Sequence, residues 1–304
     1  MKRTIRIGSR ESRLAVAQTK LVMEQIQAHH PELNLELVTM KTTGDKILDR
    51  SLDKIGGKGL FVKELDQALL QGTIDLAIHS MKDMPMEESS ELPLAALFPR
   101  GDPRDALVVP ISASPAPFWS VVGSSSPRRK LQLLSLFPKA KIKNIRGNVL
   151  TRLEKLEQED FTALVLAAAG LERLALNHRI ARFFSTQEMI PAAGQGILAI
   201  QARKGEDISF LQDIDCPKTR MVSLAERAFV RTLHGGCSSP IAAYGEIHGQ
   251  ELRLTGLYWK EGDTYWTHTL YGDASRAEHL GDALARNIQK EGKECHIPME
   301  KSGW

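Results

Sequence analysis

Short apolar runs alternate with amphipathic stretches along the first two-thirds of this chain, a rhythm that fits an α/β architecture with a largely parallel sheet. Ile5 and Ile7 alternate with polar residues as a strand. Leu14, Ala17, Leu21 and Ile26 then recur at helical spacing behind an N-cap at Ser9 or Ser12. Leu33, Leu35 and Leu37 mark a second strand, 60–70 a helix, and 74–79 a third strand. A second block repeats the plan, with strands at 106–109, 121–123, 142–145 and 163–167 and helices from Pro127, from about Val149 and up to Leu176. The stretch 194–202 reads as a strand returning to the first sheet. From Thr219 the pattern changes to a helix, three short strands (241–247, 252–259, 265–271) and a last helix carrying Ala277, Leu280, Leu284 and Ile288. A chain of 304 residues holds two or three domains, and these blocks supply two α/β lobes and a small α+β third domain.

The net charge of +3 hides an uneven distribution. No acidic residue lies between Asp105 and Glu154, whereas Arg128, Arg129, Lys130, Lys139, Lys141, Lys143, Arg146 and Arg152 all fall there. An anionic ligand is the expected partner of such a stretch. Nucleic acid is the poorer candidate, because no recognised motif and little aromatic interleaving accompany the charge. The three cysteines (Cys216, Cys237, Cys295) are widely spaced with no CxxC, which argues against a disulfide framework or a zinc site and for a reducing, cytoplasmic setting. The N-terminal residues lack an apolar core, and the longest apolar run, 163–169, is too short to span a bilayer. Neither export nor membrane insertion is expected.

In parallel sheets ligands gather at the carboxyl ends of strands, and here those ends are polar: Gly8-Ser9-Arg10, Thr43-Gly44-Asp45, His79-Ser80-Met81-Lys82-Asp83, the run from Gly123 to Arg129, and Arg146-Gly147-Asn148. In the run at 124–129, Ser126 suits an N-cap and Pro127 the first helical position. Backbone N–H groups, serine hydroxyls and the Arg128 and Arg129 guanidiniums would then converge on one anion. The plainer reading is a capped helix with solvated arginines, and phosphate and carboxylate are not told apart. Gly56-Gly57-Lys58-Gly59, with Lys54, could form a backbone nest but lacks the P-loop spacing. Asp83 follows an apolar strand; it either stabilises a developing cation and shuttles a proton, or simply caps or pairs. His79 fits a packed strand end better than a ligand. Cys237, in Gly235-Gly236-Cys237-Ser238-Ser239-Pro240, is either a small buried hydrophobe or a nucleophile in an open loop.

Together these segments resemble the hydroxymethylbilane synthase (porphobilinogen deaminase) family from about Ile5 to the final helix. The resemblance rests on Ile-Gly-Gly-Lys-Gly-Leu-Phe at 55–61, Leu-Phe-Val-Lys-Glu at 60–64, His-Ser-Met-Lys-Asp at 79–83, Asp-Pro-Arg-Asp-Ala at 102–106, Arg-Gly-Asn at 146–148, Pro-Ala-Ala-Gly-Gln-Gly at 191–196, Ala-Glu-Arg at 225–227 and Gly-Gly-Cys at 235–237. It implies a transferase that joins four porphobilinogen molecules head to tail with release of ammonia, primed by a dipyrromethane cofactor on a thioether to Cys237. Asp83 matches the catalytic aspartate. Lys58, Ser80, Lys82, Asp83, Ser125, Ser126, Arg128, Arg129 and Arg146 match cofactor-binding positions. Arg10, Ser12, Lys54, Arg146, Arg152, Arg173 and Gln195 match substrate-binding positions, with Arg13 and Lys63 weaker matches. No metal is implied. Each porphobilinogen carries an acetate and a propionate, which gives the basic stretch its reason.

The implied architecture is two lobes similar to type II periplasmic binding proteins plus a third domain with the cysteine loop. Its expected bounds are 1–99 with about 194–213, then 100–193, then 217–304. A cytoplasmic monomer without nucleic-acid or membrane partners is expected. Departures are small: Ser124 stands where threonine is common, the Ser238-Ser239 pair is less usual, and 295–304 carries no family motif. The competing class is a non-catalytic two-lobed protein that binds a carboxylated ligand.

Overall fold

The structure is a computed structural model that describes residues 3–46, 62–112, 120–236, 239–259 and 264–294. Its first sheet takes β1 (Thr4–Arg10), β2 (Asn34–Met40), β3 (Leu76–Ser80), β4 (Leu94–Leu97) and β10 (Leu198–Ala202) in the order β2-β1-β3-β10-β4. The second takes β5 (Asp105–Val108), β6 (Val121–Gly123), β7 (Lys141–Lys143), β8 (Ala163–Ala167) and β9 (Ile180–Phe183) in the order β7-β6-β8-β5-β9. The two orders share one plan. In each sheet a single strand, β10 or β5, runs antiparallel to its neighbours. Each of these strands is the first one after a crossing between the lobes. This is the two-lobed type II arrangement that the resemblance implies, and 194–202 does return to the first sheet.

The central strands are apolar along most of their length because both faces are covered. Leu76, Ala77 and Ile78 are buried in β3, as are Ala163, Leu164, Val165 and Leu166 in β8. Helix α1 (Arg13–His29) starts at Ser12, whose hydroxyl accepts from the Ala15 N–H at 3.3 Å, and Ser9 remains buried in β1. Helix α2 (Lys63–Leu70) precedes β3; α3 (Pro127–Leu136), α4 (Val149–Gln158) and α5 (Ala168–Glu172) follow β6, β7 and β8. Strands β4 and β9 were not expected from the sequence. Both are four-residue edge strands, too short to display a period.

The third domain lays α6 (Pro217–Thr232) and α7 (Ala277–Glu294) on an antiparallel sheet of β11 (Ala242–His248), β12 (Glu251–Tyr258) and β13 (Trp266–Asp273). The helices meet closely at Gly281, where a Cβ would lie 2.3 Å from the Ala225 carbonyl oxygen. Its core is continuous with the first lobe, since Met81, Leu97 and Ile197 share one buried cluster with Val222, Phe229 and Leu284.

Two crossings join the lobes and run side by side. The Phe98 N–H donates to the Leu198 carbonyl (2.9 Å), the Gly101 N–H to the Gly196 carbonyl (3.1 Å), and Arg100 Nε to the Gln195 carbonyl (2.9 Å). Gly196 has φ +89°, and a Cβ there would sit 2.6 Å from the Gly101 oxygen. Alanine at this position suffers both a left-handed backbone and a backbone clash. Gly196→Ala is expected to cost about 2 kcal/mol of stability, read as a lowered urea midpoint; an unchanged midpoint would show that the crossings can separate freely.

Candidate active site

The polar strand ends of both lobes face one another. From the first lobe come Arg10 at the end of β1, Ser12 capping α1, Ser80 at the end of β3, and the 3-10 turn Met81–Asp83. Gln18 Nε2 lies 3.2 Å from Ser80 Oγ, and the Met81 N–H donates to Ile197 (3.0 Å), so the Asp83 turn is anchored to the returning crossing. From the second lobe come Arg146, Arg152 on α4 and Arg173 after α5. Asn148 caps α4 by accepting from the Thr151 N–H (3.0 Å), Arg152 Nε donates to the Gly147 carbonyl (2.8 Å), and Arg173 Nη2 donates to the Gly196 carbonyl (2.5 Å).

Between the lobes lies a cleft of about 510 Å³ whose lining includes Arg10, Ser12, Ser80, Lys82, Asp83, Arg129, Arg146, Arg152 and Arg173. A second cavity of about 140 Å³ shares Lys82, Asp83 and Arg129 with it. It extends past Arg128 and Gln195 to Val230, Gly236, Ser239 and Ile241 of the third domain. Asp83 therefore stands where the two cavities meet, and the far end of the smaller one is bordered by the residues that flank positions 237 and 238. Cys237 itself, with Lys54, Lys58 and the glycine run at 56–59, lies outside the described residues.

Cations dominate the charged lining, and their burial shows in their proton affinities. Burial pushes the Lys82 ammonium down to about 8, with Arg129 and Arg128 pushing the same way and the Asp83 and Asp105 charges opposing. Burial also lowers the Arg152 guanidinium to about 10, helped by Arg129 and Arg146 and opposed by Asp83. Arg173 is brought down to about 10, again by burial. A cluster of this kind favours bound carboxylates, which lower the cost of keeping so many positive charges together. His79 is buried and lowered to about 4 by desolvation, the state of a packed neutral histidine. Among the described residues no group of His, Cys, Asp and Glu is placed to hold a metal ion.

Some expected residues are occupied differently from the sequence reading. Arg128 and Arg129 do converge on one anion, but it is the chain's own Asp105: Arg128 Nη1 lies 2.7 Å from Oδ2, and Arg129 Nη2 lies 2.7 Å from Oδ1. Neither arginine is a solvated surface residue; their relative exposures are 3% and 7%, and guanidiniums so buried need a counter-charge. Ser125 Oγ donates to the Ile145 carbonyl (2.6 Å) and accepts from the Ile145 N–H (2.9 Å), while Ser126 caps α3 by accepting from the Arg129 N–H (3.4 Å). These hydroxyls shape the loop and line neither cavity. Arg13 and Lys63 are exposed and line neither cavity. The sequence reading missed Gln18, a polar residue on the buried face of α1, and Asp105, whose signal was its position as the last acid before the basic stretch.

The family model for "Porphobilinogen deaminase, dipyromethane cofactor binding domain" matches residues 5–210, and that for "Porphobilinogen deaminase, C-terminal domain" matches 221–290. The chain belongs to the porphobilinogen deaminase family. The porphobilinogen deaminase of Acetivibrio thermocellus is 52% identical over 286 residues, covering 94% of this chain and 98% of the relative. That of Ruminiclostridium josui is 56% identical over 257 residues, 84% and 87% of the two chains. Among solved structures, the periplasmic aliphatic sulphonate binding protein SsuA from Escherichia coli aligns over 77% of this chain and 71% of that one, at 14% identity and a TM-score of 0.41. The family's first matched segment contains both lobes' sheets and the whole larger cleft, and the second contains most of the third domain.

Proposed function

We propose that this chain is a hydroxymethylbilane synthase: a transferase that joins four porphobilinogen molecules into a linear tetrapyrrole with release of ammonia, primed by a dipyrromethane held on Cys237. The observation that carries this reading is the position of Asp83, at the junction of a cation-lined cleft and a smaller cavity bordered by Gly236 and Ser239. The donor set fits the cofactor. Its rings carry carboxylates, and the shared wall offers Lys82 and Arg129, with Arg128 lining the smaller cavity and Arg146 the larger cleft. When bound, the dipyrromethane supplies the pyrrole terminus from which the product grows.

The chain's own residues bind, orient and move protons. Arg10, Arg146, Arg152 and Arg173 hold acetate and propionate groups through charge-assisted hydrogen bonds, and Ser12 and Ser80 add neutral donors at the lobe-1 side. Asp83 offers a carboxylate to the pyrrole N–H groups, where it stabilises positive charge as ammonia leaves and takes up protons afterwards. Lys82, lowered toward neutrality by its surroundings, keeps its proton more firmly once a substrate carboxylate lies beside it. Gln195 serves chiefly as a strut, since Nε2 donates to the Pro103 carbonyl (2.7 Å) and to Asp105 Oδ1 (3.0 Å). The domain bounds given above and a monomeric, cytoplasmic enzyme acting on a small molecule belong to the same reading; the cleft draws its lining from both lobes of one chain.

Intact-mass measurement of the purified protein before and after adding porphobilinogen tests it. The expected result is a two-ring adduct on the peptide containing Cys237 and a ladder of one-ring increments. Cys237→Ser is expected to carry no adduct and to show no turnover. A bare mass that porphobilinogen leaves unchanged would favour the two-lobed binding protein instead.

A further inference from the structure

Asp105 is fully buried at the start of β5, where the first crossing enters the second lobe. Its carboxylate is the meeting point of three side chains from two segments, helix α3 and the returning crossing. Oδ1 accepts from Arg129 Nε (3.0 Å) and Nη2 (2.7 Å) and from Gln195 Nε2 (3.0 Å), and Oδ2 lies 2.7 Å from Arg128 Nη1. Backbone carbonyls complete the clamp, with Arg128 Nη1 donating to Ile190 (2.7 Å) and Arg129 Nη1 to Val165 (3.0 Å). Asp105 lines neither cavity, whereas Arg129 lines both and Arg128 lines the smaller.

Two consecutive arginines on the first turn of a helix repel each other and have no intrinsic reason to share a direction. A carboxylate that accepts from Arg129 and forms an ion pair with Arg128 restricts their rotamers and offsets part of their charge. Each guanidinium carries five N–H groups, more than Asp105, Ile190 and Val165 take up. Gln195 sits on the returning crossing, so the same carboxylate links the cation pair to both connections between the lobes.

We infer that Asp105 is a positioning residue for the synthase: without touching the ligand, it aims the Arg128 and Arg129 guanidiniums so that they capture ring carboxylates as the cofactor is assembled. This rests on the reading under Proposed function. It predicts a defect in affinity for the incoming rings, distinct from a loss of folded protein.

The test uses full-length protein made without porphobilinogen, then incubated with it at a series of concentrations while adduct formation is followed by intact mass. For Asp105→Asn, which keeps the shape and removes the charge, the half-saturating porphobilinogen concentration for loading should rise at least tenfold. The limiting rate should stay within about threefold, in protein whose circular dichroism is native. A merely structural role would reduce the fraction of molecules that load and leave half-saturation where it was; that outcome overturns the inference, as does wild-type loading. Should Asp105→Asn fail to fold, Gln195→Leu removes one donor from the same carboxylate and should raise half-saturation several-fold; wild-type half-saturation there overturns it. Wild-type protein that never loads would sink the functional reading itself, a result distinguishable from either.

Discussion

Asp83→Ala is expected to lower turnover by roughly a hundred- to ten-thousand-fold, the range in which a positioned acid–base group acts, while leaving the melting temperature nearly unchanged. The asymmetry follows from where the side chain sits. Asp83 is half-buried in a 3-10 turn whose backbone is fixed independently, by the Met81 N–H to Ile197 and by the Met84 N–H to Met81. Its carboxylate lines both cavities and supports no core contact, so its removal opens no void. Its electrostatic role is larger than its packing role. The Asp83 charge opposes the lowering of both Lys82 and Arg152, and without it Lys82 falls below about 8 and loses its proton at a lower pH. Asp83→Asn should therefore also be reduced to a small residual activity, which should fall at a lower pH than that of wild type as Lys82 deprotonates. Steady-state rates, a melting curve and adduct mass on one preparation check this. Normal turnover by either variant would remove Asp83 from the mechanism.

The parts of the molecule legible in the sequence were those with a local cause. The period of Leu14 to Ile26 gives α1, the apolar run at 163–167 gives β8, and Ser126-Pro127 gives the start of α3, each through interactions within a few residues. The polar loops after those strands pointed to the cleft for the same reason, since a parallel sheet places all such loops at one end. What was not legible depends on contacts distant in sequence. Strands β4 and β9 exist because β10 and β5 offer them an edge. The pairing of Arg128 and Arg129 with Asp105 spans more than twenty residues and depends on the sheet order β6-β8-β5. A sequence reading that finds two adjacent arginines at a helix start predicts an anion but not whether the protein supplies it. The family motif Asp-Pro-Arg-Asp-Ala carried the answer as a pattern; the buried clamp supplies its physical reason.

Removing the Glu226 carboxylate is expected to be the most destabilising single change among those considered. Glu226 is fully buried on α6 and binds three separate parts of the chain: Arg100 Nη1 on the first crossing (2.6 Å), the Gly194 N–H on the returning crossing (2.7 Å) and the Gly245 N–H of β11 (2.8 Å). Glu226→Ala removes the counter-charge of a largely buried guanidinium, a change that costs about 3–5 kcal/mol for a buried pair, and strands two backbone donors in a cavity the shortened side chain cannot fill. That is a large fraction of the roughly 5–15 kcal/mol by which domains are stable. Glu226→Gln should be nearly as harmful, because its amide nitrogen would confront a donor in place of an acceptor. Replacing the pair together, as Arg100→Met with Glu226→Leu, should recover much of the loss, since exchanging a buried ion pair for apolar side chains removes the desolvation penalty along with the attraction. The urea midpoints of the three variants check the sequence wild type, double variant, single variants in decreasing stability. If Glu226→Ala costs less than about 1 kcal/mol, the node contributes no more than an exposed ion pair and the third domain is held to the crossings by its other contacts.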